Sequence, residues 1–148
     1  MSLWDWTLEV YCLPGVPEAT LDLQDRHGQN TSFLLWAIWA EGPSAEALAG
    51  GAAAAKAWDA TVLKPIREVR RTLKAAFPPV DDGAREALRE EVKAAELRAE
   101  RVLMETLETL APASSGGHPA LESLRAASAA WGSPAPDEAL ARLARALV

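Results

Sequence analysis

The chain has 148 residues, a formal net charge of -6, 49% hydrophobic residues and a single cysteine. That length supports one sizeable core and excludes a second independent one. The acidic balance excludes nucleic-acid or anionic-membrane binding by the surface as a whole, and a lone Cys12 excludes an intrachain disulfide.

The opening MSLWDW lacks the basic start and long apolar core of a signal peptide, so a cytoplasmic location is expected. Ser2 and Asp5 have the spacing of a capping-box variant and Pro14-Gly15 is a stop, which predicts helix one over residues 2 to 13. Its apolar residues, Leu3 to Leu13, cover most of the wheel, so this helix is expected to be largely buried, with Cys12 as core packing. Pro17 suits a first helical position and Gly28 a left-handed residue past the end, giving helix two over 17 to 27. Asn30 is a good N-cap and Gly42-Pro43 a stop, giving helix three over 31 to 41. Its run FLLWAIWA is far short of the roughly 20 residues that span a bilayer. Being apolar on every side, it belongs in the middle of a bundle.

Ser44 opens an alanine-rich segment containing Gly50 and Gly51, in which Trp58, Val62, Ile66, Val69 and Leu73 keep helical phase. Pro65 is therefore expected to kink or restart this helix rather than end it. After the break at PPVDDG, residues 84 to 110 carry the longest helical signal, with Leu88, Val92, Ala95, Ala99, Val102, Leu103 and Leu110 on one stripe. Beyond Ala111 the segments PASSGGHPA and WGSPAP read as linkers, with short helices at 119 to 131 and 137 to 147. The expected fold is all-α: a compact bundle of about five helices over residues 1 to 111, and a loosely attached Ala/Pro-rich helical tail over 112 to 148.

Tempting catalytic motifs fail on geometry. Asp25 and His27 are two residues apart, about 200° on a helix, so they face nearly opposite ways. His27 is instead expected to donate to a carbonyl at the end of helix two, with Arg26 paired to Asp22. With only His27 and His118, no cysteine pair and no H-E-x-x-H, no metal site and no cofactor are expected. Asp81 to Gly83 reads as helix-start chemistry, and neither a nucleophile elbow nor a phosphate-binding glycine loop is present. No catalytic residue is assigned.

Two constellations remain. Lys64, Arg67, Arg70, Arg71 and Lys74 share an arc of about 120° on the helix wheel, a basic stripe in an acidic chain. Such a stripe either binds an anion or a partner, or is neutralised by Glu96 and Glu100 on the next helix. Trp4, Trp6, Trp36 and Trp39 all lie within the first 39 residues, where they either fill the core or wall a pocket. Such a pocket would hold Trp36 and Trp39, with Gln24, His27, Thr31 and Ser32 at its rim.

The segments LWDWTLEVYCLPGVPEATLDLQDRHG, NTSFLLWAIWAEG and VLKPIREVRRTLK together resemble a bacterial family, domain of unknown function 2390. The resemblance covers about three quarters of the chain and implies no activity, ligand or catalytic residue. Where an aspartate-valine-asparagine triplet is typical of that family, this chain has Asn30, Thr31 and Ser32. From the residues themselves, the first reading is a non-enzymatic module that engages a protein partner through its basic helix face. The alternative is a small apolar or anionic ligand, conceivably an enzyme substrate, in the tryptophan-rich pocket. Nucleic-acid association through the stripe is the weakest reading.

Overall fold

The computed structural model describes residues 1–112 and 117–148, and every regular element in them is helical. Helix α1 (Leu3–Val10) begins at an N-cap: the Ser2 hydroxyl accepts the Asp5 amide at 3.1 Å and donates to the Asp5 carboxylate at 2.7 Å. The first amide of the helix is satisfied from a distance, by Glu108 at 2.9 Å. Helix α2 (Val16–His27) carries Pro17 in its first turn and ends on left-handed Gly28, φ 62°. Helix α3 (Thr31–Trp39) starts where the Asn30 side chain accepts the Phe33 amide at 2.9 Å.

Phe33, Leu34, Leu35, Trp36 and Ala37 are each at most 1% exposed, because α1, α2 and α3's later neighbours enclose them from every side. Trp36 spends its indole N–H on the Ala111 carbonyl at 3.1 Å, so the large ring fills the centre with no unpaired donor.

Helix α4 (Ala45–Trp58) passes through a π-turn (Asp59–Leu63) into α5 (Lys64–Thr72). Pro65 explains the π-turn: it has no N–H for the carbonyl four residues back, and its ring crowds that carbonyl, so the chain widens locally. Lys64 N–H donates to the Asp59 carbonyl, a five-residue rung. The helix is therefore restarted without breaking, as the phase of its apolar residues predicts. Helix α6 (Asp82–Leu110) is capped by the Asp81 side chain on the Ala84 amide at 2.8 Å and runs about 43 Å at 1.5 Å per residue. Arg85, near its start, donates to the Leu73 carbonyl at the end of α5 and closes that hairpin.

Helices α7 (Ala120–Trp131) and α8 (Asp137–Ala146) complete the molecule. Three expectations need correction. Counting α4 through α5 as one rod, the described residues form seven helices, five of them within residues 1–111 and two beyond. The C-terminal helices are not loose: α7 lies on α3, α8 lies on α2, and Leu124, Ala127, Leu140 and Leu143 belong to the same core as Phe33 and Trp36. Residues 113–116 of the expected linker lie outside the described residues. Helix α1 is buried only through Leu3, Thr7 and Val10, whereas Leu8, Tyr11, Cys12 and Leu13 are exposed because α1 lies at an edge, touching only α3 and α6 closely. The α6 stripe enters the core only from Ala99 onward, and Leu88 near its start and Leu110 at its C-terminal end stay exposed.

Candidate functional site

A groove of about 800 Å³ opens between the helices. One wall is α1, through Trp4, Thr7, Leu8 and Tyr11. The end is the α2–α3 junction, Gln24 to Ser32, where two helix termini meet at the loop Gly28–Asn30. The opposite wall is the π-turn and α5, through Asp59, Leu63, Lys64, Arg67, Glu68 and Arg71, and the floor is α6, through Leu97, Glu100 and Met104. Trp131 of α7 closes one side.

The structure joins parts of both constellations read from the sequence and splits each. Gln24, Thr31 and Ser32 line the groove together with Lys64, Arg67 and Arg71. Trp36, Trp39 and His27 do not: Trp36 is core, Trp39 packs on the core's edge, and His27 sits 3.7 Å from Asp22 rather than donating to a carbonyl. The expected Arg26–Asp22 pair forms at 3.4 Å. Arg70 and Lys74 also lie outside the groove.

Most of the basic stripe is spent on carboxylates. Arg67, with a side chain 18% exposed, meets Asp59 at 3.2 Å, Glu96 at 3.3 Å and Glu100 at 3.7 Å. Arg70 lies 2.8 Å from Glu96, and Lys64 lies 3.5 Å from Asp59. The five-residue rung of the π-turn sets Lys64 over Asp59, which straight α-helical phase would have separated by about 140°. Arg71 and Lys74 have no carboxylate within 4 Å among the described residues.

Two titrating groups stand out in the groove. Burial pushes the Glu100 carboxyl above its usual range; Arg67 opposes that shift and Glu96 adds to it. Partial desolvation of its hydroxyl also raises the Tyr11 phenol, with Glu100 reinforcing the shift and the Thr20 and Thr31 side chains opposing it. Around them, hydrogen-bonding capacity is left over. Thr7 Oγ1 and Gln29 Oε1 are buried and have no partner among the described residues, while Gln29 Nε2 donates to the Ser133 carbonyl at 2.7 Å. Thr31 Oγ1 reaches Gln24 only at 3.5 Å.

Other arrangements carry less. His118 Nδ1 is 2.9 Å from Ser123 Oγ and its Nε2 is 3.7 Å from Glu122, a triad in composition, yet Ser123 is 1% exposed and out of reach of any substrate. Cys12, expected in the core, is exposed and holds its thiol against the Leu8 carbonyl at 3.4 Å. No group of three metal-ligating side chains occurs among the described residues, and no helix in them is long and apolar enough to cross a membrane.

Residues 2–107 match the model of a family described as a protein of unknown function, DUF2390. The chain belongs to this family. The matched segment supplies every groove-lining residue of this DUF2390 chain except Trp131. No curated protein and no solved structure matches it.

Tyr11, Glu100, Thr7, Gln29 and Trp131 are among the groove residues that sequence reasoning did not assign to a site. Of these only Glu100 carried a signal, its place at the edge of the α6 stripe facing the basic helix.

Proposed function

We propose that this protein binds a small polar ligand, neutral or zwitterionic, in the groove between α1, α3, α5 and α6, without covalent chemistry. The volume falls within the roughly 300–1,000 Å³ usual for small-molecule sites. The observation that carries the reading is the convergence there of unspent hydrogen-bonding groups with nearly cancelling charge. Asp25, Asp59, Glu68 and Glu100 line it against Lys64, Arg67 and Arg71, and Arg67 is already saturated. A strongly anionic ligand would meet carboxylates that the cations cannot offset, which moves the choice away from the anion suggested by the stripe alone. Trp4, Leu8 and Leu97 offer an apolar surface for the rest of the ligand.

The test is an NMR titration of the six indole N–H signals with benzamide, benzoate and benzylamine, one ring with a neutral, a negative and a positive head. The expected result is that Trp4, Trp131 and the amides of Thr31 and Ser32 shift, benzamide binding best, while Trp36 and Trp58 stay fixed. Shifts confined to Trp36 or Trp58, or none at all, would refute the reading.

A protein-interaction role is favoured by one separate observation. The α5–α6 hairpin leaves Val69, Phe77, Val80 and Leu88 48–60% exposed, and α5 has no buried residue despite its sharply divided polar and apolar faces. Capture of a partner that is lost on replacing Val69 and Leu88 by serine, with the groove intact, would favour that role over ligand binding.

A further inference from the structure

Trp131 touches the groove from outside the family-matched segment. Its indole N–H donates to the Gly28 carbonyl at 2.9 Å, and its ring lies 5.5 Å from that of Phe33, with the Lys56 ammonium 5.1 Å from its centroid. Two residues further on, the Ser133 carbonyl accepts from Gln29. The loop Gly28–Asn30 is thus held at two points by the turn that follows α7. That loop does three things for the groove. It forms its end, it leaves Gln29 Oε1 without a partner, and its last residue caps α3 and so places Thr31 and Ser32.

We infer that Trp131 is a specificity-determining residue of the groove, acting both as a wall and, through Gly28, as a positioning residue for the loop that presents Gln29, Thr31 and Ser32. The inference rests on the ligand-binding reading above. Gly28 itself, left-handed at φ 62° at the end of α2, makes no side-chain contact that could fix the loop, so the indole clamp supplies the restraint that its sequence lacks. The aromatic contact with Phe33 and the cation over the ring fix the indole in turn.

The experiment compares wild type, Trp131→Phe, Trp131→Ala and Trp58→Phe in the same benzamide, benzoate and benzylamine titration. Trp58 also donates its indole N–H to a carbonyl, that of Ala99 at 2.9 Å, but lies outside the groove. Trp131→Phe keeps the ring and loses the clamp; it is expected to weaken benzamide about fivefold, the loss of one hydrogen bond, and to narrow its preference over the charged heads. Amide exchange at Gly28–Asn30 should quicken by a similar factor, a readout that remains even if Trp131→Ala fails to fold. Trp58→Phe should bind as wild type does. Wild-type affinity, preference and loop exchange in Trp131→Phe would overturn the inference, as would an equal loss in Trp58→Phe. If wild type binds no fragment, the groove reading falls and this one with it; binding by wild type with an unchanged Trp131→Phe removes this one alone.

Discussion

The adjacent glycines Gly50 and Gly51 should respond to alanine with opposite signs. Both lie inside α4, where alanine is favoured over glycine by about 0.5–1 kcal/mol. A Cβ on Gly50 would meet nothing nearer than Leu110 at 4.0 Å, so Gly50→Ala should gain that amount. A Cβ on Gly51 would stand 2.5 and 2.9 Å from two atoms of the Trp36 ring and 3.2 Å from Phe33. Carbon contacts are best at about 3.5–4.0 Å. Both rings are 0% exposed and neither has room to retreat. Overpacking of this kind costs about 1–3 kcal/mol, and the depth of the clash places it in the upper half of that range, so Gly51→Ala should lose about 1–2 kcal/mol net. At roughly 2–4 °C per kcal/mol for a chain of this size, thermal unfolding by circular dichroism should fall by about 3–6 °C for Gly51→Ala and rise by about 2 °C for Gly50→Ala. Equal stabilisation by both would refute the close approach of α4 to Trp36, and with it the enclosure of α3.

Replacing Arg67 by methionine should destabilise the protein by about 2 kcal/mol in urea unfolding, because three carboxylates lose their shared partner; the figure is below the roughly 3–5 kcal/mol of a fully buried pair since the site is partly wet. An unchanged midpoint would show the network to be ornamental. Glu100 has its folded pKa raised above the unfolded value, so the folded state holds more protons and stability falls as pH rises from the ordinary carboxyl range through the folded pKa. Glu100→Gln should therefore be more favourable, relative to wild type, at pH 7 than at pH 4; the reverse trend would contradict the assigned direction. A chain ending at Ala111 loses Leu124 and Leu143, each 0% exposed and worth about 1.5–3 kcal/mol of burial. It is expected to melt without a cooperative transition, and a sharp two-state melt would show that residues 1–111 fold alone.

Much of the fold was legible because its signals are local. Ser2, Asn30, Ser44 and Asp81 cap the helices they precede, and Gly28 ends the helix it follows. The all-round apolarity of Phe33 to Ala37 placed α3 at the centre. What failed to show was non-local. Nothing in the composition of an Ala/Pro-rich tail reveals that Leu140 and Leu143 cover α2, because short amphipathic helices look alike whether docked or free. A straight wheel could not place Asp59 against Lys64 and Arg67, since the π-turn resets phase at that point. The groove itself gathers residues from α1, the α2–α3 loop, α5, α6 and α7, and only its cations formed a visible cluster along the chain. The tryptophans misled for a physical reason: a large ring with one donor suits a pocket and a core equally, and the Ala111 carbonyl that satisfies Trp36 lies 75 residues away.

The account turns on whether the groove takes a ligand, and the most direct measurement is a crystal structure grown with benzamide. The expected map has density for the ring against Trp4 and Leu97 and for the amide within hydrogen-bonding distance of the Thr31–Ser32 end or Gln29. Density elsewhere, or a groove closed by Tyr11 and Arg71 with no ligand in it, would contradict the assignment.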